Sequence, residues 1–291
     1  LVCGRECSPS LPLRREQTRK IKENIKMSVL KTQRRVSTYQ FWQSFVAIYK
    51  HHSNIIGRVP IRKQKWICQD INFHMREVYS LLSEASSKYV RNPNLAFYKD
   101  ATFLQAINHL ENMQDGLLVF WNIQKYSYRS MRYWATMIND EIDLIKDSMS
   151  TQPEEYKYIQ ILDWDRIEKC MFLQNMCVLH RFVHGKIIRV PNRYDDTISK
   201  QIIDYIDKAF INVMKANIDI PQTKAQYTAR RKLISDAIEY LQESEYPLYE
   251  LFNIMQYSEN VMKEFSDLLT SEIKLLKGLQ KSDAERFKGL K

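Results

Sequence analysis

Slid along itself by 131 positions, the 291-residue chain meets its own pattern: residues 41–146 fall on residues 172–277 without a gap. Of the 106 aligned pairs, 23 are identical, well above what shared composition supplies, and the matches fall at the spacing a fold would need. Ile67, Ile71, Met75, Val78, Leu82 and Ala85 meet Ile198, Ile202, Ile206, Ala209, Val213 and Ala216. Met131, Trp134, Ile138, Ile142 and Ile145 meet Met262, Phe265, Leu269, Ile273 and Leu276. Steps of three and four put each set on one face of an α-helix. The pattern is that of a helical unit copied end to end.

Each copy predicts four helices. The first runs through "TYQFWQSFVAIYK" and "CMFLQNMCVLHRF" and stops at Val59-Pro60 or Val190-Pro191, because proline fixes φ and biases its predecessor away from the helix. Helix two is expected over about 62–88 and 195–217, and helix three over about 95–125 and 224–256. Gly116 and Pro247 occupy equivalent places inside helix three and predict a kink or break there. Ser127 and Ser258 are natural N-caps for helix four. Only 6 Gly and 8 Pro support long helices with few tight turns. The expected fold is all-α, with two tandem up-down four-helix bundles. A basic tail covers residues 1–36, the bundles cover 37–150 and 168–281, a linker covers 151–167, and a short tail covers 282–291.

The net charge of +10 is unevenly distributed. Residues 1–36 hold 10 Lys/Arg against 3 Glu, residues 37–150 hold 13 basic against 10 acidic groups, and residues 151–291 are neutral with 21 of each. An anionic partner is therefore expected on the tail, including Arg34 and Arg35, and on the first copy. The Arg-rich tail is also compatible with an organelle-targeting segment, although Glu6, Glu16 and Glu23 count against that. Met27 is an available internal start. Five irregularly placed cysteines do not make a disulfide framework and fit a reducing, cytoplasmic compartment. No apolar run approaches the ~18 residues of a membrane span.

Catalytic signatures are missing from the sequence: it has no Gly-rich phosphate loop, no nucleophile elbow and no His-Glu-x-x-His. Asp140-Glu141 and Asp195-Asp196 read as solvated faces, with Glu141 and its counterpart Glu272 available for a salt bridge. Cys170, Cys177, His180 and His184 share a helical stripe, but their counterparts Tyr39, Val46, Tyr49 and Ser53 favour a core-facing stripe over a zinc site, and no metal or cofactor is expected. Basic residues beside aromatic ones carry more information. Arg58, Arg62, Lys63 and Lys65 crowd the first proline corner, where cations oppose the macrodipole of the following helix. Arg189 and Arg193 persist at the second corner, while Asp196 replaces Lys65. Lys125, Tyr128, Arg129 and Arg132 cluster at the start of helix four, and Arg230, Arg231 and Lys232 form the basic cluster of the second copy. Phosphate neutralisation by Lys/Arg with ring stacking on bases is the usual nucleic-acid combination.

A first helix ending in "RVPIRKQKW", followed by the long "ICQDINFHMREVYSLLSEAS" and two further helices, resembles a known family. It comprises the accessory variability determinant of diversity-generating retroelements and the four-helix-bundle proteins of large-subunit rRNA intervening sequences. The resemblance covers about residues 41–147 and, more weakly, 172–278. It implies single bundles assembled into rings, and a basic, non-enzymatic partner of a reverse transcriptase and its template RNA, with Arg58, Arg62, Lys63 and Lys65 on the family's basic turn. Val59 stands where the family usually has Phe, and Asp143 and Asp147 stand where it tends to have glycines. The expected role is a nucleic-acid-binding accessory subunit of a ribonucleoprotein beside a polymerase. The alternative is a protein scaffold or homo-oligomer with no nucleic-acid role.

Overall fold

Each Val-Pro pair stands at a corner where one helix stops and the chain turns. The computed structural model describes residues 39–87, 93–150, 159–160, 164–218 and 220–290. Helix α1 (Gln40–Ile56) ends at Gly57, and Pro60 caps the short α2 (Ile61–Ile67), which leads into α3 (Gln69–Ser87). Helices α4 (Pro93–Gln124) and α5 (Tyr128–Asp147) complete the first repeat. After α6 (Trp164–Glu168) come α7 (Met171–Ile187), α8 (Lys200–Ala216), α9 (Lys224–Ile254) and α10 (Glu259–Arg286). The described fold is all-α.

Element boundaries recur at the same 131-residue offset. The α1 bounds map onto those of α7, and α3, α4 and α5 begin where α8, α9 and α10 begin. Even the stops match. Lys125 and Gln256 both adopt φ 49°, and the amides of Tyr126 and Tyr257 reach back to Trp121 O and Phe252 O. This is one left-handed helix terminus written twice, at positions where glycine would be the unstrained choice. In each repeat the four long helices touch in a cycle: α1 with α3, α3 with α4, α4 with α5, α5 with α1, and likewise α7 to α10.

The structure revises some details. Helix two is not continuous: the first copy breaks at Cys68, and the second opens with a 3₁₀ turn (Asn192–Tyr194) and a π turn (Asp195–Ser199). The break lets α2 leave the line of α3 and pack on α4. Neither Gly116 nor Pro247 breaks its helix. Gly116 is required by close approach, since a Cβ there would stand 2.6 Å from Ile71 Cγ1 and 3.3 Å from Ile71 N. Gly116→Ala should destabilise the chain by about 1–3 kcal/mol through overpacking. Chemical denaturation would show this as a lower midpoint with an unchanged slope.

Ser127 caps α5 by accepting from Ser130 N at 3.2 Å. Ser258 makes no such bond, whereas Thr223 and Gln226 form a full capping box on α9. Asn139 of α5 holds the linker, accepting from Ile159 N at 2.8 Å and donating to Ile159 O at 3.0 Å. Helix α10 runs past residue 281, and buried Asp283 and Phe287 belong to the packing of the second repeat.

The buried apolar residues form one contiguous cluster through both repeats. The bridge is the C-terminal half of α4, where the seven residues from Gly116 to Asn122 are all buried. A helix buried all round needs cover on every side. Besides its own repeat, α4 contacts α7 and α8 of the second.

Candidate nucleic-acid interface

The two proline corners meet. Arg62 Nη2 donates to Val190 O at 2.9 Å, and Lys65 Nζ lies 2.5 Å from Asp195 Oδ2. Asp195 is buried and paired with Lys65, not the solvated face expected. The Gln64 amide closes its own corner by donating to Ile56 O and Val59 O at 3.1 and 2.7 Å. The first corner's Arg62 caps a carbonyl of the second. Arg62 and Lys65 hold the repeats together, which leaves Arg58, Lys63, Arg189 and Arg193 as the remaining cations here. Arg193 lies over the Tyr194 ring, 4.8 Å from its centroid.

The second predicted cluster opens onto a cleft of about 480 Å³ between the repeats. Trp121, Lys125, Tyr126 and Tyr128 line it from the first repeat, and Arg181 of α7 lines it from the second. Exposed Arg129 and Arg132 lie on the first turns of α5. Arg181 was not among the sequence candidates, because nothing local distinguishes it; only the packing of α4 on α7 brings it beside Lys125. The first turn of α5 carries no acidic residue, whereas α10 begins with Glu259. A helix N-terminus is already positive, so cations there cost a few tenths of a kcal/mol each. Of these two helix starts, only that of the first repeat places a cation, Arg129, in its first turn.

The third cluster divides. Arg230 is held by Asp283 Oδ2 at 2.7 Å and by the Ala216 carbonyl, so it is structural. Arg231 and Lys232 are exposed. Arg34 and Arg35 lie outside the described residues.

A polar cluster absent from the expectations sits behind the cleft. Asn122 Nδ2 donates to Cys177 O at 3.2 Å and to His180 Nδ1 at 2.9 Å. A carbonyl can only accept, so the amide nitrogen must face this way, and His180 Nδ1 must be unprotonated. The His180 proton is then on Nε2, which donates to Asp207 Oδ1 at 2.9 Å; His184 Nε2 lies 2.6 Å from the same oxygen. Burial brings His180 down to about 4, against the pull of its Asp207 bond. For Asp207 burial acts upward, but the His184 charge and the two imidazole hydrogen bonds override it and bring the carboxyl down to about 2.

His180, His184 and Asp207 have the donor chemistry of a zinc or iron site, with ligand atoms within 4.8 Å of one another. The tautomer set by Asn122 places a proton on the His180 nitrogen a metal would need. The cluster therefore reads as a hydrogen-bonded clasp between α4, α7 and α8. The helical stripe of Cys177, His180 and His184 is buried as expected, and His180 is bonded from the other repeat through Asn122.

Glu141 and Glu272 are also not as expected. Both are fully buried at equivalent positions, with no salt bridge among the described residues. Burial pushes each up to about 8, with Ser44 and Asn175, themselves equivalent, working in the other direction. Asn175 Nδ2 donates to Glu272 Oε2 at 2.9 Å.

No helix among the described residues is long and apolar enough to cross a membrane. No family model, curated protein or solved structure matches the chain.

Proposed function

We propose that this protein is a non-catalytic, nucleic-acid-binding accessory subunit of a ribonucleoprotein, working beside a polymerase of the reverse-transcriptase type. The carrying observation is the inter-repeat cleft, lined by Lys125 and Arg181 together with Trp121, Tyr126 and Tyr128. Its size suits one nucleotide, the partly exposed rings of Tyr126 and Tyr128 offer stacking, and its cations offer phosphate contacts. Arg129, Arg132, Arg58, Lys63, Arg189 and Arg193 extend the cationic surface, with Arg231, Lys232 and the tail arginines Arg34 and Arg35 beyond it. The likeness to retroelement accessory bundles supports the choice of RNA and of a polymerase as partners.

Fluorescence anisotropy with a labelled single-stranded RNA tests this reading. Affinity should fall steeply between about 50 and 200 mM salt, through counterion release. Lys125→Ala, Arg129→Ala and Arg181→Ala should each reduce the salt slope by about one, while Tyr128→Ala should weaken binding with the slope intact. Arg230→Ala should alter stability and leave the salt slope alone. Binding no tighter than that of a neutral control protein would overturn the reading.

A further inference from the structure

The contact between the repeats is not symmetric, and the asymmetry leaves two matching faces without a partner among the described residues. In the second repeat Cys177, His180, His184, Ile203, Phe210 and Met214 are buried on α7 and α8, two helices that α4 touches. At the same register in the first repeat stand Val46, Tyr49, Ser53, Asn72, Tyr79 and Ser83, all half-buried or exposed. Tyr49 is 42% exposed where His180 is 0%, and Tyr79 is 45% exposed where Phe210 is 0%. Call this surface the head. On the covering side, Leu118 is fully buried and its counterpart Tyr249 is 56% exposed. Asn122, buried in the clasp, has the exposed counterpart Asn253; Asp115, which pairs with Lys215 at 2.5 Å, has the counterpart Tyr246, 69% exposed. This surface is the tail.

In the chain, the tail of repeat one occupies the head of repeat two. We infer that the tail of repeat two, on α9, docks onto the head of repeat one, on α1 and α3, in a second copy of this chain. The contact would continue the one already formed within each chain. It is heterologous, so it adds copies head to tail and does not pair two equal faces.

The two surfaces offer a hollow, exposed rings and opposite charges. The head of repeat one carries a hollow of about 540 Å³ that includes Tyr49, Asn72 and Arg76, beside exposed Phe73 and Ile61. The tail offers Tyr246, Tyr249 and Ile254, and exposed tyrosines are typical interface anchors. Lys50 is the counterpart of Arg181, and Glu259 is the counterpart of Tyr128. Arg181 and Tyr128 share the cleft within the chain, so Lys50 and Glu259 would meet across the copies. Arg76 stands where Asp207 does and would lie near Asn253 and Glu250 of the neighbour.

Sedimentation velocity on nuclease-treated full chain, over a hundredfold range of concentration, tests the inference. The mean mass should climb with concentration. Tyr49→Glu spoils only a head and Tyr249→Glu only a tail, and both sites are exposed enough for the fold to survive, as circular dichroism would verify. Each variant alone should remain monomeric, and an equimolar mixture should stop at a dimer joined through the one intact head and the one intact tail. Lys50→Glu should weaken assembly at least tenfold, and adding Glu259→Lys should restore it. A chain that stays monomeric throughout, or a Tyr249→Glu variant that still assembles, overturns the inference. RNA binding through the internal cleft does not depend on this outcome.

Discussion

Asp207→Ala should unfold the chain more easily than any surface substitution, by about 3–5 kcal/mol. Two imidazoles, 0% and 1% exposed, direct Nε2 at one Asp207 oxygen. Without the carboxylate, each buried imidazole loses its acceptor. Arg76 occupies the same register in the first repeat but is exposed, so Arg76→Ala should change stability by less than about 0.5 kcal/mol. Thermal unfolding of both variants supplies the comparison, and equal losses would refute the clasp. The same groups set the acid limit. His180 is held near 4, below its ordinary 6.5, so the unfolded chain takes up its proton first. Stability from this site is therefore complete above about pH 6.5 and declines as the pH falls toward 4. Asp207, held near 2 against an ordinary 3.8, adds a second loss as the pH falls from about 4 toward 2. Asp207→Ala should abolish the second loss and deepen the first, because the Asp207 bond is what holds His180 up against burial.

The repeat and its helices were legible because they rest on local rules. Ile67 to Ala85 and Ile198 to Ala216 repeat one apolar spacing, and a proline cannot be passed unnoticed. The clasp was not legible. His180 lies on an ordinary amphipathic stripe, and its partners Asn122 and Asp207 are 58 and 27 residues away. Comparison of the copies even pointed away from a special role, since His180 matches Tyr49. Equivalent positions have equivalent surroundings only where the copies stand alone, and a head-to-tail contact breaks that condition: one copy's head is covered and the other's is not. The corner cations were similarly half read. Their unfavourable placement at a helix N-terminus signalled a purpose beyond local stability, but Arg62 and Lys65 find that purpose in Val190 and Asp195. No spacing rule could reveal this, because the two corners are 131 residues apart.

Buried Glu141 and Glu272 set the alkaline limit, and replacing them should stabilise the protein. Each is pushed up to about 8 from an ordinary 4.5. Between those values the folded chain holds protons that the unfolded chain releases, so stability is complete below about pH 4.5 and declines as the pH rises toward 8. At one pKa unit per 1.36 kcal/mol, each buried carboxyl costs on the order of 3 kcal/mol at pH 7 and on the order of 5 above pH 8. Glutamine keeps the shape and cannot ionise. Glu141→Gln and Glu272→Gln should each raise stability at pH 7 by a large part of that cost, with little change at pH 4.5, and the double variant should remove most of the alkaline slope. The sites are far enough apart in the fold, one in each repeat, for the two gains to add. Asn175 already donates to Glu272, and the amide oxygen introduced by Glu272→Gln can accept the same hydrogen bond, so the gain there should be the cleaner one. Urea unfolding at about pH 4.5, 7 and 8.5 measures all three points. A destabilising double variant at the highest pH would mean that these carboxyls are ionised and compensated within the fold, and the alkaline limit would then need another source.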